Sequence, residues 1–174
     1  MKCYQTGKGH KNLLKNLGKE LDSKEITDVN LNFEYVDLVE SDKAEKFSGF
    51  VKFLNTELDK IYGDSFVVVT TFADSPIKPR LTSDLVSLAR NSDGLFVMAY
   101  DFHTTQSENA GPVAPIEGKG VFNQYDIKTM VKDYLTKMPP NKLILGVPYY
   151  GYNWVVEKEE PYAKAIEGTE ETGY

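Results

Sequence analysis

The feature that most limits what this chain can become is the way its apolar residues switch, again and again, between helical and strand spacing. Leu13, Leu14, Leu17 and Leu21 recur at helical intervals, and a strand pattern follows at about 28 to 35. Phe47, Phe50, Val51, Leu54, Leu58 and Ile61 then form a longer helical stripe that stops at Gly63, a residue suited to a helix C-terminus. Ser65 to Ala73 is apolar and β-branched, as a strand covered on both faces would be. Thr82 to Arg90 reads as a short helix and Gly94 to Phe102 as a strand. Asp126 caps a helix bearing Ile127, Met130, Val131, Tyr134 and Leu135, which Pro139 and Pro140 stop. Lys142 to Pro148 supplies a further strand. The order of a helix, three strand–helix units and a closing strand predicts an α/β fold with a parallel sheet.

Four strands are half of what a closed (β/α)8 barrel needs, since that fold has eight in a typical length of ~250 residues. On a barrel reading, residues 1–154 form a partial barrel. Residues 155–174 form an acidic irregular tail or the start of an insertion, and the aperiodic stretch from Glu157 to Tyr174 is expected to add no strand. A half-barrel has two open edges and an uncovered interior, so the chain is expected to be an excerpt of a longer protein that supplies the remainder of the barrel.

Within the first strand, Val29, Leu31 and Phe33 alternate with Asn30, Asn32 and Glu34. Alternate side chains of a strand point to opposite faces, so the three polar groups are expected to converge. Two amides and a carboxyl on an otherwise apolar strand cost desolvation energy that a purely structural strand would avoid. In α/β barrels the reactive groups gather at the C-terminal ends of the strands. Glu34, Ala73, Tyr100 with Asp101, and Tyr149 with Tyr150 all lie at such ends. Each also has a plainer reading: Glu34 as a solvated loop residue, Tyr100 and Tyr149 as core aromatics, and Asp101 as an Asx turn.

Composition narrows the chemistry. The 174 residues are 41% apolar and 26% charged, which is ordinary for a globular domain, and the net charge is −6. That charge argues against a nucleic-acid partner, because a phosphate-binding surface needs clustered Lys and Arg. Cys3 is the only cysteine, and His10 and His103 lie far apart, so neither an internal disulfide nor a metal site is expected. No glycine-rich phosphate loop is present, and no cofactor is expected. The opening residues Met1 to Lys8 hold no apolar run of signal-peptide length, and no run reaches the roughly 20 apolar residues of a membrane span.

Four segments together resemble glycoside hydrolase family 18, the chitinase family. Ile26 to Tyr35, ITDVNLNFEY, is similar to that family's fourth-strand signature DGxxxDxE, and Val97 to His103 resembles its sixth-strand MxYDxH. Leu143 to Gly151, LILGVPYYG, is similar to the seventh-strand GxPxYG, and Ala110 to Ile116 resembles a loop of bacterial members. The resemblance implies a TIM barrel present from strand 4 to strand 7, a substrate containing N-acetylglucosamine, and a secreted or cell-surface location. It also implies a retaining mechanism in which the substrate's own acetamido oxygen attacks the anomeric carbon. Glu34 then matches the general acid/base, Tyr100 the hydroxyl that steadies the acetamido carbonyl, and Asp101 a group binding nearby sugar hydroxyls. Met98 would shape the pocket floor, Asn30 would bind substrate as part of the polar row, and Tyr149, Tyr150 and Trp154 would stack on sugar rings. Trp154 fits a hydrophobic plug equally well. Thr27 and Asp28 stand where the family has Asp-Gly, and Asn32 stands where it has an aspartate that stabilises a cationic oxazolinium. An amide at that position leaves open a relative that binds carbohydrate without cutting it.

Overall fold

The computed structural model describes residues 7–120 and 124–173, so Cys3 and the terminal Tyr174 lie outside the described residues. Helix α1 (Gly7–Lys24) precedes strand β1 (Val29–Leu31), helix α2 (Ser41–Tyr62), strand β2 (Val67–Phe72) and helix α3 (Leu85–Asn91). Strand β3 (Gly94–Met98), helix α4 (Ile127–Leu135) and strand β4 (Leu143–Gly146) follow, and then an antiparallel pair, β5 (Tyr150–Val156) and β6 (Ala165–Gly173). The first four strands form one sheet in the order β1-β2-β3-β4, every neighbouring pair parallel. The expected succession of helix, three strand–helix units and a strand is thus present.

Register assigns each residue to a face. Val29 pairs with Val67 and Leu31 with Val69, while Leu95 and Val97 pair with Leu143 and Leu145. Val67, Val69, Leu95 and Val97 are fully buried against the helices, in one core with Phe47, Phe50, Leu54, Leu58, Leu88, Met130 and Tyr134. The opposite face carries Asn30, Thr70, Phe72, Phe96 and Met98, and it is the face on which a barrel interior would close. There Phe96 lies over Gly146, where an added Cβ would sit 2.6 Å from the ring, so only glycine permits that overlap.

The helix ends follow local chemistry. Gly63 ends α2 at φ 92° with its N–H donating to Asp59 O, a conformation that costs glycine nothing. Asp126 caps α4, its carboxylate accepting from Thr129 N at 2.7 Å and from Lys119 N at 2.8 Å. Burial alone would push that carboxyl up, but the hydrogen bonds from Thr129 and Lys119 hold it below its usual range. Helix α3 starts later than the Thr82 expected from its apolar pattern, because Thr82 is buried on Ser75 at 3.0 Å and Asp84 takes the capping position.

Two further expectations are corrected. The first strand was expected over about 28 to 35, yet β1 stops at Leu31. Beyond it Phe33 turns onto α2, and Tyr35 N–H bonds back to Phe33 O at 2.8 Å, a three-residue turn that ends the ladder. The stretch after Glu157 was expected to add no strand, yet β6 runs beside β5 from Tyr150↔Gly173 to Val156↔Ala165. Its acidic composition hides a strand because β5 supplies the backbone partners, and β-pairing is less dependent on intrinsic preference than helix formation is.

Replacing Asp126 by alanine leaves two N–H groups without their acceptor. The full-length protein is expected to lose about 1–2 kcal/mol in chemical denaturation, and Asp126→Asn to lose less.

Candidate active site

The inner face of the sheet opens into a cleft of about 1010 Å³ at the C-terminal ends of β1, β2 and β3. Glu34, Phe72, Asp74, Arg80, Met98, Tyr100, Asp101 and Tyr125 are among its lining residues. Sequence distance between these groups is large; the parallel sheet brings them to one mouth because Phe72 and Met98 end their strands and Glu34, Asp74, Tyr100 and Asp101 lie just past strand ends.

The polar row of the first strand divides into two contacts. Thr70 Oγ1 donates to Asn30 Oδ1 at 2.9 Å across the sheet, and Asn32 Nδ2 donates to Glu34 Oε1 at 2.8 Å. Asn32 and Glu34 therefore meet, as alternation requires, even though the ladder has already ended. Phe33 between them packs edge-on against Phe47 at 5.2 Å and Phe50 at 6.2 Å, which turns its two neighbours the other way. Asn30 is held one step deeper and serves the sheet.

Tyr100 and Asp101 lie just past the end of β3, after Ala99. Burial raises the Tyr100 phenol above its ordinary range, and the negative charges of Glu34 and Asp101 push it further. The phenol is consequently a neutral hydrogen-bond donor facing the same space as Glu34. Asp101 takes the left-handed conformation at φ 58°, uncommon outside glycine and tolerated best by Asn and Asp. Its Oδ1 accepts two phenolic hydroxyls, from Tyr150 and from Tyr152, each at 2.7 Å. Burial and the bond to Asp101 raise Tyr150 as well. Met98 is 9% exposed at the base of the cleft.

The aromatic residues separate. Tyr150 meets Tyr100 edge-on at 6.1 Å, and the contacts continue through Tyr152 at 5.7 Å to Trp154 at 5.8 Å. Trp154 donates to Thr104 O and lines a second, shallower groove with Pro112, Val156 and Tyr162. Tyr149 points away, 82% exposed, and lines neither hollow.

Tyr152 was missing from the residues named by sequence, although its signal was there. Tyr150, Tyr152 and Trp154 stand two apart along β5 and share a face, so period-two reading would have found it. Asp74 and Arg80 were missed as well, since nothing local announces a pair six residues apart in a loop. Arg80 Nε and Nη2 grip Asp74 at 3.0 and 2.8 Å, and Lys78 reaches the same carboxylate at 2.9 Å. Burial would raise Asp74, but Arg80 and then Lys78 outweigh it and hold the carboxyl below its ordinary range. Among the described residues no group of three or more His, Cys, Asp or Glu side chains could hold a metal ion. His103 instead hydrogen-bonds Pro112 O at 3.0 Å. No helix among the described residues is long and apolar enough to cross a membrane.

The chain belongs to the glycosyl hydrolases family 18, whose model matches residues 2–174. It is 29% identical over 154 residues to YdhD of Bacillus subtilis (strain 168), named as a sporulation-specific glycosylase, an alignment that covers 83% of this chain and 32% of YdhD. The fold is that of an Ostrinia furnacalis group IV chitinase solved with allosamidin, with TM-score 0.83 and 22% identity, covering 99% of this chain and 51% of that one. It is equally that of a chitinase-like agglutinin from Robinia pseudoacacia, with TM-score 0.78 and 20% identity, covering 99% of this chain and 53% of that one. The chain thus spans about a third of its curated relative and about half of these solved chains. The family accordingly holds both enzymes and lectin-like members on this fold.

Because the folded-state carboxyl of Asp74 is depressed below the ordinary value of 3.8, its pairing contributes stability that is present above that pH and lost as pH falls through the folded value. The stability gap between the parent and Asp74→Asn is therefore expected to be widest near neutrality. It should narrow below about pH 4 in denaturation series run across pH.

Proposed function

We propose that the full-length protein is a retaining glycosidase acting on glycans that contain N-acetylglucosamine, with Glu34 as its general acid/base. The observation that carries this reading is the meeting of Glu34, Met98, Tyr100 and Asp101 in one cleft at the mouth of the sheet. In the first step the substrate's acetamido oxygen attacks the anomeric carbon, the glycosidic bond breaks, and Glu34 gives its proton to the leaving oxygen. In the second, Glu34 takes a proton from water as that water opens the oxazolinium, restoring the acid and releasing the sugar with retained configuration. Tyr100, kept neutral, donates to the acetamido carbonyl oxygen and directs it at the anomeric carbon. Asp101, its Oδ1 held by Tyr150 and Tyr152, presents its other oxygen to sugar hydroxyls. The relatives agree with a carbohydrate ligand: one solved neighbour is in complex with allosamidin and a Cycas revoluta chitinase variant with (GlcNAc)4.

Asn32 favours a second reading. The amide donates to Glu34 Oε1 but brings no negative charge to a cationic intermediate. Losing one well-placed electrostatic stabiliser typically costs on the order of 100- to 1,000-fold in rate. A protein with that deficit and an intact cleft could retain the sugar without cutting it. Carbohydrate binding without turnover is the alternative.

Hydrolysis of a chromogenic chito-oligosaccharide by the full-length protein tests the first reading. Glu34→Gln is expected to lower the rate by about 100-fold or more, as removal of a general acid does, and equal rates in the two proteins would end the proposal.

Asn32→Asp separates the two readings, because the substituted carboxyl would lie against Glu34 and two carboxyls so close share a proton. If the protein is an enzyme, measurable parent turnover is expected to rise roughly 10- to 100-fold in the variant. A parent that binds the oligosaccharide by calorimetry yet releases no product, against a variant that does, would establish the binding protein instead.

A further inference from the structure

We propose that Arg80 is a positioning residue that fixes the segment carrying Glu34. The inference deepens the glycosidase reading and rests on Glu34 as its acid. The difficulty it resolves is mechanical: the pairing of β1 with β2 runs from Val29↔Val67 and stops at Leu31↔Val69, so the ladder has ended three positions before the group that must be held most precisely.

Two contacts take the place of the ladder, one on each side of Glu34. On the outer side Phe33 is set into the aromatic cluster of α2. On the inner side the Arg80 Nη1 group donates to the backbone carbonyl of Val36, two positions past Glu34. Arg80 is itself immobilised. Its side chain is 15% exposed, it grips Asp74 through two nitrogens, and its guanidinium lies 5.0 Å above the Phe72 ring. Asp74 in turn follows β2 closely, and its carbonyl accepts from Ile77 N at 3.0 Å and Lys78 N at 2.9 Å. The neighbouring Pro79 carbonyl accepts from Val39 N at 2.8 Å, a second tie between the same two loops.

The load path therefore runs from the central strand β2 through Asp74 to the planar fork of Arg80 and on to the Val36 carbonyl. A guanidinium suits this position because it can bind a carboxylate in bidentate fashion and still aim another N–H at a third acceptor. Lysine has one charged centre and cannot hold both partners in a fixed plane. A direct contact with substrate would also place Arg80 in the cleft wall, and the two roles differ in what they change. Loss of a substrate contact raises KM, whereas loss of a positioning tie misplaces the acid and lowers kcat.

The test compares the full-length protein with Arg80→Lys and Arg80→Ala by amide hydrogen exchange and by hydrolysis of the chromogenic chito-oligosaccharide. Faster exchange is expected in peptides covering residues 32–39, with the β3 peptide 94–98 unchanged, in both variants. With it, kcat should fall about 10- to 100-fold while KM moves less than about 3-fold. Added guanidinium should restore part of the rate of Arg80→Ala. Unchanged exchange over 32–39 would overturn the proposal whatever the activity, as would a raised KM at unaltered kcat. If the parent fails the Glu34→Gln comparison, the glycosidase reading falls, and the exchange measurement still decides whether Arg80 holds the segment.

Discussion

Phe33 sits edge-on against Phe47 and Phe50, and the placing of the polar groups at the mouth of the sheet depends on that contact. Offset aromatic pairs contribute about 0.5–1.5 kcal/mol beyond the area they bury, enough to keep one side chain of a short segment in the core. Once Phe33 is committed to α2, Asn32 and Glu34 have to face the interior. The same commitment draws the chain out of sheet register after Leu31, so the constraint that aims the acid also removes the backbone ladder that would have steadied it. A contact from the next loop, through Arg80, answers that loss.

A comparable division holds at β3 and β5. Tyr100 and Asp101 leave the sheet just after Met98, and Asp101 enters the left-handed region that strand geometry cannot supply. Two phenols from β5 then accept the task of orientation. In both places the sheet delivers a reactive side chain to the mouth, and a neighbouring segment completes its placement. The side chains at the mouth and the residues that fix them thus come from different strands, which is why a parallel sheet suits such a site.

What could be read from sequence follows the range of the interactions involved. The stripe from Phe47 to Leu58, the Gly63 terminus and the Asp126 cap are local, and each lies where spacing placed it. The parallel sheet was legible because alternation of strand and helix leaves few other topologies. The meeting of Asn32 with Glu34 was legible for the same reason, as a consequence of period two. The early end of β1 was not, since it depends on Phe33 choosing aromatic partners on α2. Strand β6 was hidden because its pairing with β5 is set by a partner and by the Asn109↔Lys164 bridge from a distant loop. Arg80 and Val36 are 44 positions apart, and a cation in a loop carries no mark of the carbonyl it will find.

The amide at position 32 bears on chemistry more than on architecture. Asn32 occupies its place without disturbing anything around it: it donates to Glu34 at 2.8 Å, and the acid still shares a cleft with Tyr100 and Asp101. Geometry is therefore common to an enzyme and to a sugar-binding protein here, and the difference between them reduces to one formal charge beside a developing cation. Charge is worth most where water is excluded, and the value of that missing carboxylate depends on how fully the cleft is covered. A closed, dry mouth would make the amide decisive and leave a binder. A mouth open to solvent would screen the deficit and leave a slow hydrolase.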